Sequence, residues 1–123
     1  MREAQMTNLD IRCAELGREI TQISGIEEKS VNAALAVLEE QGPYAMFLYL
    51  QARHSNVAGD MSSKTLNFLQ GIFHNRLAGA NDILEAIKKL SEDLDDLLFA
   101  RDLLRTALSY ARYHLKAKGG GTS

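Results

Sequence analysis

Apolar residues recur every three or four positions through most of this chain, which is the spacing of one face of an α-helix. The spacing predicts a first helix over residues 8–23. Its apolar face comprises Leu9, Cys13, Leu16, Ile20 and Ile23. Ser24 is followed three positions later by Glu27, as in a capping box. A second helix is therefore predicted to begin at Ser24 and to end at Gly42, since glycine commonly follows the last turn of a helix.

Pro43 stands at the first position of a predicted third helix, where proline costs little because that N–H has no helical partner. Residues 44–52 are almost wholly apolar, which predicts a helix buried on several sides. Residues 54–60 are mostly polar and include a glycine, which indicates a loop. A fourth helix is predicted to begin near Ser62 or Ser63, and a short fifth helix to cover residues 81–90.

The last predicted helix is the longest and carries the most information. Ser91 is its expected cap, and it runs to about Lys116. At about 100° per residue, four basic side chains fall within an arc of roughly 60°. They are Arg101, Arg105, Arg112 and Lys116. One apolar stripe lies beside them and a second lies near the opposite side. The first is Leu97, Leu104, Leu108 and Leu115, and the second is Phe99, Leu103 and Tyr110.

Two apolar stripes predict that this helix is packed on both sides, either centrally in a bundle or against a partner. The basic ridge beside them, formed by Arg101, Arg105, Arg112 and Lys116, is long enough to follow several phosphates of a nucleic acid. A solvated flank, whose arginine stems cover leucine side chains, fits the same pattern.

Length and composition agree with a helical domain. The chain has 123 residues, 46% of them hydrophobic, and contains a single proline. Only three residues are valine, at positions 31, 37 and 57, and no segment is rich in β-branched residues as a strand would be. We predict an all-α fold, a single compact bundle of five to six helices with a long C-terminal helix. Residues 1–118 form the expected domain, and residues 119–123 a flexible glycine-rich tail.

Charge and cysteine content narrow the class of protein. A net charge of −2 and a pI near 5.9 argue against binding to duplex nucleic acid by overall charge, although a local basic surface remains compatible. Cys13 is the only cysteine, so no internal disulfide can form, and a cytoplasmic location is expected. No apolar run approaches the roughly 20 residues that span a bilayer, so no membrane partner is expected.

Residues suited to catalysis or metal binding are sparse. The three histidines, His54, His74 and His114, lie in no metal-ligand spacing, and no glycine-rich phosphate loop is present. Cys13 falls on the apolar face of the first helix, which favours a core residue over a nucleophile. We therefore expect a protein that binds rather than catalyses, with no cofactor, no metal and no small-molecule substrate.

The order of four segments resembles the small all-helical subunit of type III-B (Cmr-type) CRISPR effector complexes, which are RNA-guided. Residues 9–14, LDIRCA, are similar to the Leu-Glu-Gln-Arg-Arg-Ala-like motif of that family's first helix. Residues 41–49, QGPYAMFLY, resemble its Asn-Gly-Leu-Leu-Gln-x-Leu-Ala-Phe segment, with Arg53 in place of the terminal lysine. Residues 83–87, ILEAI, and 108–112, LSYAR, are similar to its Leu-Leu-Glu-Ala-Leu-like and Leu-Asn-Trp-x-Arg-like segments.

The resemblance covers roughly residues 9–115, and three family positions are changed. Ala45 stands where the family has glutamine, Tyr110 where it has tryptophan, and Cys13 where it has a second basic residue. The resemblance implies a non-catalytic subunit that stacks with copies of itself beside other subunits of the complex. It further implies contact with the backbone of guide RNA and target RNA through a basic surface. The related small subunit of type III-A complexes stays open as an alternative.

Six residues are the candidate RNA contacts. Arg12, Arg53 and Arg112 match the family's motif positions, whereas Arg101, Arg105 and Lys116 come from the helical wheel. A second hypothesis is a helical adaptor that docks one protein partner through the second apolar stripe and has no nucleic-acid role. A third, a small helical enzyme, would need a polar constellation that the sequence does not show.

Overall fold

The computed structural model describes the backbone of residues 2–120 and the side chains of residues 8–118. Six α-helices follow one another, with a short 3-10 helix after the fourth. They are α1 (Arg2–Thr21), α2 (Glu28–Gln41), α3 (Pro43–Arg53), α4 (Ser55–Phe73), the 3-10 helix His74–Leu77, α5 (Ile83–Leu90) and α6 (Leu94–Gly120). The described residues contain no strand, so the predicted all-α bundle with a long C-terminal helix is confirmed. Residues 121–123, most of the predicted tail, lie outside the described residues.

The junction between α2 and α3 is the sharpest match between sequence and structure. Gly42 has φ 94°, in the left-handed region that favours glycine, and its N–H donates to the Leu38 carbonyl at 3.0 Å. Pro43 occupies the first position of α3, as predicted. One residue therefore ends α2 and precedes α3, and no linker separates the two helices.

The predicted loop over residues 54–60 is wrong. Only His54 lies outside the helices, because α4 begins at Ser55. Val57 and Ala58 of that segment are buried, as is Met61 directly after it, and their helical spacing continues into the face that packs on the core. Gly59 faces solvent, where it lowers helix propensity without interrupting the apolar face.

Two predicted helix starts are also wrong. The backbone turns at Gly25, whose φ is 85°, and α2 begins at Glu28 after Glu27, whose side chain makes no capping bond. Ser91 ends α5 rather than starting α6. The cap of α6 is Asp93, whose Oδ1 accepts the N–H groups of Asp95 at 2.9 Å and Asp96 at 3.3 Å.

The third helix is less buried than the sequence indicates. Pro43, Met46, Phe47 and Leu50 are buried on one side of α3. Tyr44 and Leu48 remain 38% and 46% exposed on the other, so burial on several sides is wrong. The reason is that α3 packs against α2, α4 and α5 from one side only.

The last helix is the centre of the bundle. Its most extensive partner is α1, and α2 and α5 also pack on it, whereas α1 and α2 make few contacts with each other. Leu104 and Leu108 of the first stripe are buried, and Leu97 and Leu115 are partly buried. Each buried leucine contributes about 1.5–3 kcal/mol of hydrophobic stabilisation. The prediction that α6 is packed on both sides is confirmed.

Gly17 allows α1 to lie directly on α6. A Cβ at Gly17 would come within 2.7 Å of the Ala107 carbonyl oxygen and 2.7 Å of the Tyr110 Cβ. On the same side of α1, the Cys13 thiol donates to the Leu103 carbonyl at 3.5 Å. The Tyr110 hydroxyl donates to the two carboxylate oxygens of Asp10, each at 3.1 Å. This packing fixes which side of α6 faces α1 and, with it, which side is left to solvent.

Candidate nucleic-acid interface

The basic ridge lies on the side of α6 that turns away from α1. On the helical wheel it is roughly 120–180° from Leu103, Ala107 and Tyr110, which contact or approach α1. From Arg101 to Lys116 the ridge extends about 22 Å at 1.5 Å per residue. The structure therefore brings four of the six predicted RNA contacts together on one helix.

A groove of about 630 Å³ runs between α2 and α6 beside this ridge. Its lining comprises Asn32, Leu35, Ala36, Glu39, Arg105, Ser109 and Arg112. Arginine, asparagine and serine side chains can all hydrogen-bond to phosphate oxygens. The groove therefore carries suitable phosphate-binding groups, although Glu39 places one carboxylate among them.

Arg105 does not stand free in this groove. Its Nε and Nη2 donate to the two carboxylate oxygens of Glu39 on α2, the Nη2 bond being 3.3 Å long. Its Nη1 donates to Oδ1 of Asp102 at 2.8 Å. The hydrogen bond from Arg105 lowers the pKa of Glu39, and the bond to Glu39 raises the pKa of Arg105, outweighing its slight desolvation. Both groups are therefore held in their charged forms.

The other three residues of the ridge differ in exposure. Arg101 and Arg112 are half-buried, and the Nε of Arg101 is buried without a hydrogen-bond partner among the described residues. The guanidinium carbon of Arg112 lies 5.8 Å from the ring centroid of Tyr113, a cation–π arrangement. Lys116 is exposed. Within residues 8–118, neither Arg112 nor Lys116 forms an ion pair, so both keep a charge that can meet a phosphate.

The remaining two predicted contacts lie apart from the ridge. Arg12 is on α1, and its Nη1 donates to the Gly71 carbonyl at 3.2 Å, which satisfies a carbonyl in the last turns of α4. Arg53 is the exposed last residue of α3, a helix that makes no extensive contact with α6. The six residues therefore do not form one surface: four lie along α6, one hydrogen-bonds to α4 and one lies at the end of α3.

A second groove, of about 550 Å³, lies where α1, the end of α4 and α6 meet. It is lined by Asn8, Leu9, Ile11, Arg12, Glu15, Gly71, Ile72, His74 and Phe99. Ile11 and Phe99 are 49% and 40% exposed, and the Phe99 ring meets Phe73 edge-on at 5.8 Å. His74, at its edge, has φ 44°, which is uncommon for a residue with a side chain. Phe99 belongs to the second apolar stripe predicted from the sequence, whereas Ile11 lies outside the predicted apolar face of α1 and was not singled out.

Two further observations concern nucleophilic and metal-binding side chains among the described residues. Burial, with a smaller effect of the Asp10 carboxylate, raises the pKa of the Cys13 thiol to about 11, so almost no thiolate is present near neutral pH. Over residues 8–118, no three His, Cys, Asp or Glu side chains are grouped closely enough to hold a metal ion.

Comparison of the chain with models of protein families, with characterised proteins and with solved structures finds no match. No described helix combines the length and apolar character required to cross a membrane.

Proposed function

We propose that this protein is a non-catalytic small subunit of a type III CRISPR effector complex, of the type III-B or the related type III-A class. In this role it acts in the cytoplasm, in antiviral defence. Its partners are other subunits of the complex, including copies of itself, and the backbone of guide RNA and target RNA. The proposal rests on the resemblance of residues 9–115 and on the surface chemistry of α6.

The observation that carries the RNA-binding part is the ridge on α6. Arg112 and Lys116 lie one turn apart on its solvent side and form no ion pair with described residues. In the groove, Ser109 lies on α6 with Arg112, and Asn32 lies across from them on α2. Guide RNA reads its target by base pairing, so a protein subunit needs only contacts to phosphates. A short basic ridge on a chain of net charge −2 suits that limited task.

Charge reversal on the ridge tests the proposal. The variant Arg112→Glu/Lys116→Glu is compared with Arg18→Glu/Lys29→Glu, which changes net charge equally at exposed positions of α1 and α2. Binding of a fluorescent single-stranded RNA of about 20 nucleotides is followed by anisotropy between 50 and 200 mM salt. Losing two phosphate contacts reduces the salt slope of log K by about 1.4, whereas the control changes it little.

Equal binding by the ridge variant and its control would place RNA elsewhere or nowhere on this protein. Failure of the wild-type chain to bind RNA even at 50 mM salt would overturn the RNA-binding proposal outright. For the class of complex, the tagged chain is purified from its own cells and the bound RNA sequenced. A recurring set of short guide RNAs is the expected result.

A second candidate function, a helical adaptor without RNA, is favoured by the groove at Ile11 and Phe99. Exposed apolar side chains beside a concave surface are typical of protein docking sites. Purification from native cells separates the two functions, because an adaptor is recovered with a protein partner and without nucleic acid.

A further inference from the structure

The only basic side chain of the ridge in an ion pair is Arg105, among the residues that the structure describes. Its partners come from two helices. Glu39 on α2 takes the Nε and Nη2 side of the guanidinium, and Asp102, one turn earlier on α6, takes Nη1. All three nitrogens of the guanidinium are therefore engaged by carboxylates. The two carboxylates together offset the positive charge of this guanidinium.

A phosphate would use the same atoms. Arginine binds phosphate best through a fork of two parallel N–H groups, and Glu39 already occupies such a fork in Arg105. Bidentate binding of Glu39 and of a phosphate through that fork is therefore mutually exclusive. The carboxylate of Glu39 also repels a phosphate that approaches along the groove from Arg112.

We propose that Glu39 is an electrostatic gate that withholds Arg105 from RNA. In the free chain it keeps Arg105 from contributing a phosphate contact and so limits the affinity of the groove for polyanions. This inference rests on the proposed RNA-binding function of the ridge and adds a residue that controls it. Glu39, rather than Asp102, is assigned the role because it makes the bidentate contact and comes from the opposite wall of the groove.

The substitution Glu39→Gln removes the charge and keeps the size of the side chain. It frees Arg105 to form one further phosphate contact, since a neutral amide is a weaker partner for a guanidinium than a carboxylate is. With the anisotropy assay and the same 20-nucleotide RNA, affinity at 50 mM salt is expected to rise on the order of tenfold. The salt slope is expected to steepen by about 0.7, the value of one contact to a single strand.

Glu40→Gln is the matched control. Glu40 is the next residue of α2, is exposed and makes no ion pair with the described residues, so its replacement changes net charge equally. It is expected to change affinity by less than about twofold, because an exposed charge away from the groove is screened by salt. A third variant, Glu39→Gln/Arg105→Gln, is expected to lose the gain, which assigns the gain to Arg105. Helical circular dichroism checks that all variants are folded.

The outcomes separate the gate from the proposed function. If the wild type binds RNA and Glu39→Gln behaves as Glu40→Gln does, the gate is wrong while the ridge assignment stands. If affinity rises in Glu39→Gln and the gain persists without Arg105, the cause is the loss of repulsion by the Glu39 carboxylate rather than the release of Arg105, and the gate is again wrong. If neither the wild type nor Glu39→Gln binds RNA at 50 mM salt, the proposed function fails and the gate with it. Binding gained through Arg105 alone supports both.

Discussion

A methyl group at Gly17 is expected to force α1 away from α6. The new Cβ would lie 2.7 Å from the Ala107 carbonyl oxygen, 2.7 Å from the Tyr110 Cβ and 2.9 Å from the Ala111 amide nitrogen, where ordinary contacts begin at 3.4 Å. Two of these atoms belong to the backbone of α6 and cannot rotate aside. The helices must separate by several tenths of an ångström along their most extensive interface.

Two terms set the size of the effect of Gly17→Ala. Replacing glycine by alanine inside a helix gains about 1 kcal/mol of helix propensity. Overpacking a tight contact costs about 1–3 kcal/mol and occasionally more. Because the obstructing atoms are backbone, the cost lies at or above the upper end, and we expect a net loss of about 2 kcal/mol in the free energy of unfolding. For a chain of this length that corresponds to a fall of about 8 °C in Tm.

The same substitution at Gly59 is the control. Gly59 also lies inside a helix, but a Cβ there would meet nothing within 4 Å. Gly59→Ala is therefore expected to gain about 0.5–1 kcal/mol from helix propensity alone, raising Tm by about 2–4 °C. Thermal and urea unfolding followed by circular dichroism give both values. If the two variants shifted stability in the same direction, the close approach of α1 to α6 at Gly17 would be refuted.

Two further predictions concern one thiol and one helix cap. Burial raises the pKa of Cys13 to about 11. The native protein at pH 8 should therefore react with iodoacetamide about 100-fold more slowly than the urea-unfolded chain, and its rate should rise with pH. Comparable rates for the native and unfolded chains would show that the thiol is accessible. Asp93→Ala removes the side-chain cap of α6 and should cost about 1 kcal/mol of unfolding free energy. Glu92→Ala, its exposed neighbour, should cost under about 0.5 kcal/mol, and equal losses would contradict the capping role.

Local chemistry explains which parts of the fold could be predicted. Gly42 and Pro43 end and begin helices through properties of their own backbones, so the sequence alone locates them. The loop over residues 54–60 was mispredicted because its polar residues suggested a break, whereas Val57 and Met61 supply the buried face that sustains the helix. Tertiary packing determines that this segment is helical, and packing cannot be inferred from a short window of sequence.

The candidate site likewise has a part that could be predicted from the sequence and a part that could not. The helical wheel could locate the ridge because residues of a single helix share a face irrespective of the rest of the fold. Asp102 lies three residues before Arg105 on the same helix, so its ion pair with Arg105 could also be predicted from helical spacing. Glu39 is 66 residues away, and its contact with Arg105 depends on how α2 docks on α6. Likewise, only the packing of α1 against α4 reveals that Arg12 contacts the Gly71 carbonyl.

The pairing of α1 with α6 has a consequence for the protein during its synthesis. Cys13 and Leu103, which meet across this interface, are 90 residues apart, and Asp10 and Tyr110 are 100 apart. At about 5–20 residues per second, the ribosome takes about 5–20 s to make the partner of α1 after α1 itself. During that interval the apolar face around Leu16 and Ile20 lacks the helix that covers it. Although α1 is made before the other described helices, it is thus among the last to be packed, and the nascent chain is most open to chaperone binding there.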